Sequence, residues 1–321
     1  MVWLQILILV FFSFLLIKAT DILITSIKAL ARTTGLGQLA ITSIVLALAT
    51  SLPELFVGVT AALEGAPGLA LGNILGSNIA DLSLVIGGAA LLGGTLVVKG
   101  EVIERDILYT FLIGVLPLLL LLDNNLTRLD GVILVLVYFW YSTTVSRFKR
   151  KEMGENGDIW VRRLIRKLKL KSGRRQLGWF FLGVALLIFS ADVIVRMAMG
   201  IAASLKIPVF WAGLFLVAVG TSFPELSFEL AAIRKHQASM AMGDLLGSVV
   251  ANSTLILGMV SIISPIRLTS LFTYLLATMF FLAIFAFFYV LVRTKRKLER
   301  WEAGILILLY VLFLVAELLR A

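Results

Sequence analysis

One stretch of this chain occurs twice, and the second copy restricts the fold more than any other feature. The segment Ala47-Leu-Ala-Thr-Ser-Leu-Pro-Glu54 returns 171 positions later as Ala218-Val-Gly-Thr-Ser-Phe-Pro-Glu225. At the same offset Gly72–Asp81 returns as Gly243–Asn252, and 15 of 41 positions in the longer stretch around these motifs are identical without a gap. The pattern therefore indicates two related halves.

Both copies lie in a strongly apolar chain. Hydrophobic residues make up 60% of the sequence and charged residues 15%, and the mean hydropathy is +1.03, which a water-soluble domain of this length would not tolerate. Runs of about 20 apolar residues can cross a bilayer as helices. Ten such runs occur, at about 2–30, 37–63, 67–93, 104–122, 129–147, 176–204, 208–233, 237–263, 268–292 and 302–319. We therefore expect an all-α integral membrane protein with ten transmembrane helices.

The ten predicted helices divide equally between the halves. Residues 1–146 hold helices 1 to 5, residues 176–321 hold helices 6 to 10, and residues 147–175 form a basic linker. Because five is an odd number, the second half enters the membrane from the opposite side, so we expect inverted repeats. Inverted repeats with broken helices that carry carboxylates are typical of transporters whose substrate site lies at the repeat interface.

The distribution of Lys and Arg predicts the orientation. If the linker is cytoplasmic, the loops on its side hold 22 Lys and Arg residues and the opposite loops hold 4. Positive charge favours the cytoplasmic side, so we expect the N-terminus outside the cell membrane and the linker inside. The distribution of the net charge of +10 is explained by the membrane topology and by contact with anionic lipid. It therefore does not indicate nucleic-acid binding.

The composition also excludes several kinds of site. The chain has no cysteine and one histidine, His236, which excludes thiolate and histidine metal centres. Oxygen is the ligand type that remains, and it suits hard cations rather than copper or zinc. No motif resembles that of an intramembrane enzyme, so we expect neither catalysis nor a bound cofactor.

Each repeated motif combines a helix-breaking proline with oxygen-bearing side chains. Pro53 and Pro224 disturb the hydrogen bonds of their helices, and the freed carbonyls need another partner, which a cation can provide. A carboxylate at the membrane centre costs about 2.5–3.5 kcal/mol, so a repeated set indicates function. The candidate ligands are Glu54, Asp81, Glu225, Asn252, Thr50, Ser51, Ser77, Thr221, Ser222 and Ser248. Hard cations such as Ca²⁺ bind six to eight oxygens, which this set can supply.

Further acidic residues lie nearby. Asp21 and Asp192 recur at the repeat offset, and we favour ion pairs with Lys18 and Arg196 over a role in the ion path. Glu64 is expected to be a surface charge.

Two acidic residues belong to the second half alone. Glu229 replaces Gly58, and either guards the cytoplasmic mouth or pairs with Arg234. Asp244 replaces Asn73, and we expect a role at the helix start, with ion access as the alternative.

Together, Thr-Ser-x-Pro-Glu and the following Gly-x-x-x-Gly-Ser, present in both halves, resemble the sodium/calcium exchangers of the Ca²⁺:cation antiporter superfamily. The resemblance covers essentially the whole chain. It implies a ten-helix fold in which helices 2, 3, 7 and 8 form the ion site while helices 1 and 6 slide across them.

The resemblance also implies roles for individual residues. Glu54 and Glu225 would be central ligands shared by Ca²⁺ and Na⁺, and the carbonyls of Ala47 and Ala218 would serve Na⁺. The remaining matched positions are Thr50, Ser51, Thr221 and Ser222 as oxygen donors, Ser77 and Ser248 beside them, and Asp81 and Asn252 at the end of the motif.

Two positions depart from the family pattern. The archaeal-type pattern has Asn in the first half and Asp in the second, whereas this chain has Asp81 and Asn252. The Asn that follows Gly-Ser is kept as Asn78 but is Val249 in the second copy.

These features favour an electrogenic antiporter that exports Ca²⁺ as Na⁺ enters. A Ca²⁺/H⁺ exchanger of the same fold is the nearest alternative, because carboxylates also bind protons. A cation channel is an alternative of another class, and its flux would not depend on a counter-ion.

Overall fold

The computed structural model describes residues 2–34, 48–97, 101–153, 171–268 and 272–319, and within these ranges the chain is almost entirely helical. The helices of the first half are α1 (Val2–Thr34), α2 (Leu52–Leu63), α3 (Pro67–Ala80), α4 (Ile86–Gly93), α5 (Glu101–Leu120) and α6 (Arg128–Met153). Those of the second half are α7 (Lys171–Leu205), α8 (Val209–Trp211), α9 (Ala218–Thr221), α10 (Phe223–Arg234), α11 (Ala238–Val250), α12 (Leu257–Ile263), α13 (Phe272–Lys295) and α14 (Arg300–Leu318).

Eight helical stretches of the described residues are long and apolar enough to cross a membrane. They coincide with eight of the ten predicted segments, which confirms a helical membrane protein. The predicted segment 129–147 lies within α6, and the segment 37–63 is described only from residue 48 onward, where it includes α2.

Short π-helical segments interrupt three of the spans. π1 (Asp81–Val85) joins α3 to α4, π2 (Ala212–Val217) joins α8 to α9, and π3 (Ala251–Ile256) joins α11 to α12. A π turn inserts one residue into the helical ladder and is frequent at functional sites. Here π1 and π3 begin close to the repeat offset from each other, directly after the repeated Gly-Ser motifs.

The proline motifs break their helices as the sequence predicts. Ser51 and Ser222 leave helical geometry, with ψ of 8° and 2°, and α2 and α10 begin at the next residue with proline in the first turn. Proline is tolerated there because its missing N–H would have had no helical partner.

Glycines let the backbones of the two halves touch. A Cβ added to Gly72 in α3 would lie 2.0 Å from the Phe210 carbonyl oxygen, and one added to Gly213 in π2 would lie 2.2 Å from that of Leu69. Only glycine permits so close an approach, as at other helix contacts in membranes. The contact brings the polar end of α3 against the repeated motif of the second half.

Four short strands form two pairs, and each pair contains one strand from each half. β1 (Leu96–Val97) pairs antiparallel with β4 (Lys297–Leu298), and β2 (Asn125–Leu126) pairs antiparallel with β3 (Ile266–Arg267). Near the repeat offset β1 corresponds to β3 and β2 to β4, so exchanging the halves maps one pair onto the other. Each pair joins a strand of the first half to a strand of the second.

Burial separates inner helices from outer ones. The most apolar windows of the spans Pro67–Gly93 and Ala238–Ile263 are 83% and 72% buried, against 33% for Val2–Ser26 and Leu177–Leu205. The repeated motifs therefore lie in the inner layer, while α1 and α7 pack along each other with large apolar faces exposed.

Candidate functional site

The predicted ligands come together in the inner layer and are shielded from solvent. Every predicted ligand side chain among the described residues is at most 3% exposed. This holds for Thr50, Ser51, Glu54, Ser77, Asp81, Thr221, Ser222, Glu225, Ser248 and Asn252, and Ala218 is also buried. Ala47 lies outside the described residues.

Three residues form what we call the Thr50 cluster: Thr50, Asp244 and Ser248. The Thr50 hydroxyl donates a hydrogen bond of 3.0 Å to Asp244 Oδ1, and the Ser248 hydroxyl lies 3.4 Å from it. Asp244 is 1% exposed. The cluster joins the second motif of one half to the first motif of the other.

The repeat counterparts of these residues form the Thr221 cluster: Thr221, Asn73 and Ser77. The Thr221 hydroxyl lies 3.2 Å from Asn73 Oδ1 and 3.3 Å from the Ser77 hydroxyl. The carbonyl oxygen of Ala218 lies 3.2 Å from the same hydroxyl. Both clusters therefore have the same connectivity, with an amide in one where the other has a carboxylate.

The carboxylates between the clusters are short of partners. Ser77 donates a long hydrogen bond of 3.4 Å to Glu54 Oε1. Glu54 Oε2 and both oxygens of Asp81 and Glu225 have no hydrogen-bond partner among the residues that the structure describes. None of these three residues forms an ion pair with another described residue. Glu225 interacts electrostatically with Glu54, Asp81 and Asp244, so the acidic groups are close enough to repel one another.

An asparagine chain links the ends of the two motifs. Asn252 Nδ2 donates to Asn78 Oδ1 at 3.1 Å, and Asn78 Nδ2 donates to Ser253 Oγ at 2.8 Å. Asn252 Oδ1 has no hydrogen-bond partner and remains available to a ligand. The second half has Val249 in place of Asn78, so this link is made once.

The structure corrects the prediction for Asp244. It lies beyond the first turn of α11, which begins at Ala238, and its buried carboxylate belongs to the Thr50 cluster rather than to a helix start. Its position at the repeat offset from Asn73, four residues before Ser248, was the signal that could have placed it there.

Glu229 is also part of the buried set. It is 0% exposed, both its carboxylate oxygens lack a hydrogen-bond partner, and it therefore makes no pair with Arg234. Asp244 and Asp81 are its electrostatic neighbours. Sequence spacing placed it one turn beyond Glu225 but could not show that acids of other helix segments are its electrostatic neighbours.

The ion pairs predicted away from the site are present. Arg196 pairs with Asp192 at 3.0 Å, and Lys18 lies 4.0 Å from Asp21. Arg196 also pairs with Glu64 at 2.7 Å, which joins α7 to the end of α2. These groups are partly exposed and do not belong to the central set.

No three acidic or histidine side chains of the described residues lie close enough together to hold one metal ion. In this arrangement a cation would be held by one or two carboxylates together with hydroxyl, amide and backbone oxygens. Such mixed oxygen shells suit hard cations such as Na⁺ and Ca²⁺.

Comparison with known proteins identifies the family. A family model described as sodium/calcium exchanger protein matches residues 4–147 and 175–319. The inner membrane protein YrbG of Escherichia coli strain K12 is 30% identical over 253 residues, which are 78% of this chain and 77% of YrbG. The sodium/calcium exchanger MaX1 of Methanosarcina acetivorans is 27% identical in an alignment 332 positions long, gaps included, which covers 94% of each chain.

A solved structure shares the fold. The sodium-calcium exchanger NCX_Mj, soaked with 100 mM Na⁺ and 10 mM Sr²⁺, matches with a TM-score of 0.67 at 24% sequence identity. The match covers 98% of this chain and 99% of that chain.

Proposed function

Because this chain belongs to the sodium/calcium exchanger family, we propose that it exchanges Ca²⁺ for Na⁺ across the membrane, electrogenically and by alternating access. The observation that carries the proposal is the set of buried carboxylates at the junction of the two motifs, which have no basic partner among the described residues. Uncompensated charge inside a membrane protein is costly and marks ion pathways. Transported cations would supply the missing charge.

The proposed architecture is ten transmembrane helices in two inverted five-helix repeats, 1–146 and 176–321, joined by the basic linker 147–175. The strand pairs β1–β4 and β2–β3 support it. Each pair contains one strand from each half, and exchanging the halves converts one pair into the other. The Thr50 and Thr221 clusters support it too, since exchanging the halves converts one set of contacts into the other. Both patterns are expected if a twofold axis relates the two halves.

In the proposed ion site, Glu54 and Glu225 are the central ligands of Ca²⁺ and Na⁺. Hydroxyl, amide and backbone oxygens complete the shell, and Asp81 adds a third charge. The further ligands are Thr50, Ser51, Ser77, Thr221, Ser222, Ser248, Asn252, Ala47 and Ala218. The partly unpaired oxygens of Glu54, Asp81, Glu225 and Asn252 favour these assignments.

Charge neutralisation would couple the two fluxes. With ions bound, the acidic groups are compensated and α1 and α7 can slide across the inner helices. Without ions, the exposed charge would oppose the same movement, so exchange is obligatory. The outer position of α1 and α7, and their mutual packing, suit this motion.

We also propose that the protein lies in the cell membrane with its N-terminus outside and its linker in the cytoplasm. The excess of Lys and Arg in the loops on the linker side supports that orientation. Anionic lipid would then face the basic linker.

The test is ⁴⁵Ca²⁺ uptake into proteoliposomes under separately imposed Na⁺, H⁺ and K⁺ gradients. We expect uptake to require an outward Na⁺ gradient and to respond to membrane potential. Uptake driven by a proton gradient alone would identify a Ca²⁺/H⁺ exchanger instead. Flux that needs no counter-ion would identify a channel.

A further inference from the structure

The carboxylates of this site are distributed unequally between its two ends. At three repeat-related positions one copy is acidic and the other is neutral: Asp244 against Asn73, Glu229 against Gly58, and Asp81 against Asn252. Glu229 interacts electrostatically with both Asp244 and Asp81, and Asp81 interacts with Asp244. The three acids are therefore electrostatic neighbours of one another, and we call this set the acidic end.

Glu229 is the strongest sign that the acidic end takes a ligand. Its side chain is fully buried, and neither carboxylate oxygen has a hydrogen-bond partner in the part of the chain that the structure describes. The electrostatic neighbours identified for it are both acidic. A buried charge in such surroundings is strongly unfavourable unless a cation compensates it.

The first half has no room for an equivalent of Glu229. A Cβ added at Gly58 would lie 3.2 Å from Ile256 Cγ2 and 3.3 Å from Val260 Cγ2, which is already tighter than ordinary contact. A longer acidic side chain would displace that packing. The asymmetry is therefore built into the helix contacts as well as into the charges.

The oxygen chemistry at this end suits a monovalent hard cation. The Thr50 hydroxyl connects the Asp244 carboxylate to the Ser248 hydroxyl within 3.0 Å and 3.4 Å. No triad of acidic side chains converges closely enough to form a divalent-metal cage within the described residues. Na⁺ accepts an oxygen shell that contains one carboxylate and hydroxyl oxygens. Here Asp244 would be that carboxylate, and Glu229 would add a second negative charge nearby.

We propose that Asp244 and Glu229 create a Na⁺-binding position at the acidic end which the Thr221 cluster does not match. The inference rests on the proposed function in taking Na⁺ as an exchanged ion. In the inverted arrangement this end faces the side of the loop between α10 and α11, which the proposed orientation puts in the cytoplasm. Na⁺ would then bind more tightly at the cytoplasmic end than at the outer end.

The experiment is equilibrium binding of ²²Na⁺ to the purified full-length chain in detergent, without Ca²⁺ and at constant ionic strength. We expect Asp244→Asn to raise the half-saturating Na⁺ concentration of one binding component about tenfold or more, and Glu229→Gln to shift the same component. Asp192→Asn removes the same charge from an exposed ion pair and is the matched control, expected to bind like the unchanged chain. Asp244→Glu keeps the charge and should retain the component at least in part.

Superimposable binding curves for the unchanged chain, Asp244→Asn and Glu229→Gln would overturn the inference. If Asp244→Asn does not fold, Glu229→Gln alone decides the question, by shifting the component or leaving it unchanged. The proposed exchange activity is assessed separately by Na⁺-driven ⁴⁵Ca²⁺ uptake of the unchanged chain. Uptake without a shift in ²²Na⁺ binding would reject this position and leave the exchanger intact.

Discussion

The Thr50 and Thr221 clusters have nearly the same geometry and different charge. In each, a threonine hydroxyl reaches a side-chain oxygen four residues before a serine, at 3.0 Å in one and 3.2 Å in the other. The serine hydroxyls lie at 3.4 Å and 3.3 Å. Yet the first acceptor is the carboxylate of Asp244 and the second is the amide of Asn73. The comparison teaches that the duplicated backbone sets where the oxygens lie, while one side-chain exchange sets how each end treats a cation.

Glu54 and Glu225 are the same residue in both halves, and replacing them should give the largest effects. We expect Glu54→Gln and Glu225→Gln each to reduce Na⁺-driven ⁴⁵Ca²⁺ uptake about a hundredfold or more, because each removes a buried charge from the proposed shared shell. Uptake into proteoliposomes with matched protein content measures the loss. Asp21→Asn, at an exposed helix position, is the control and should transport normally.

The two glutamate variants also test the symmetry itself. If one variant transported robustly while the other was inactive, Glu54 and Glu225 would have different roles in transport. The two halves would then differ at the centre of the site as well as at its two ends. Robust transport by both would remove Glu54 and Glu225 from the ion path.

The sequence identified the polar side chains that the structure buries in the inner layer, because the duplication marks them. Glu54, Glu225 and the hydroxyls beside them recur at one offset, and residues four apart share a helix face. Spacing within a helix cannot reveal which residue of another helix lies opposite. The bonds from Thr50 to Asp244 and from Asn78 to Ser253 were therefore missed, although all four residues lie within or beside the repeated motifs.

The fold was predictable where it depends on composition and less so where it depends on local backbone geometry. Apolar runs predicted the spans, and Pro53 and Pro224 predicted the helix breaks. The π segments and the strand pairs carry no comparable signal, because a π turn needs no special residue and a two-residue strand is too short for a pattern. Both arise from packing between the halves.

The clusters should differ when their threonines are replaced. Thr50→Val removes a hydrogen bond to a carboxylate, and Thr221→Val removes one to an amide. Bonds to charged groups contribute about 1.5–3 kcal/mol and neutral ones about 0.5–1.5 kcal/mol, so Thr50→Val should destabilise the protein more. The measurement is the temperature at which half of the detergent-purified protein loses monodispersity, in buffer without Na⁺ and Ca²⁺.

The order of the two melting temperatures is the informative result. Thr254→Val, which removes a hydroxyl bonded only within its own helix segment, is a control for loss of a buried hydroxyl. Equal losses for Thr50→Val and Thr221→Val would mean that the Asp244 carboxylate contributes no more than the Asn73 amide, and the contrast between the ends would not be energetic.

The smallest effect should come from the ion pair that lies outside this buried set. Arg196 and Glu64 join α7 to the end of α2 at 2.7 Å, but their side chains are 54% and 31% exposed. Exposed ion pairs contribute little to stability because water and salt screen them, and Arg196 keeps its second partner Asp192. Glu64→Gln should therefore leave the melting temperature nearly unchanged and Na⁺-driven ⁴⁵Ca²⁺ uptake within about twofold. A larger loss of uptake at unchanged stability would mean that the ion pair between α7 and α2 takes part in the sliding of α7. Transport would then depend on a charged contact at the protein surface as well as on the charges at the buried ends.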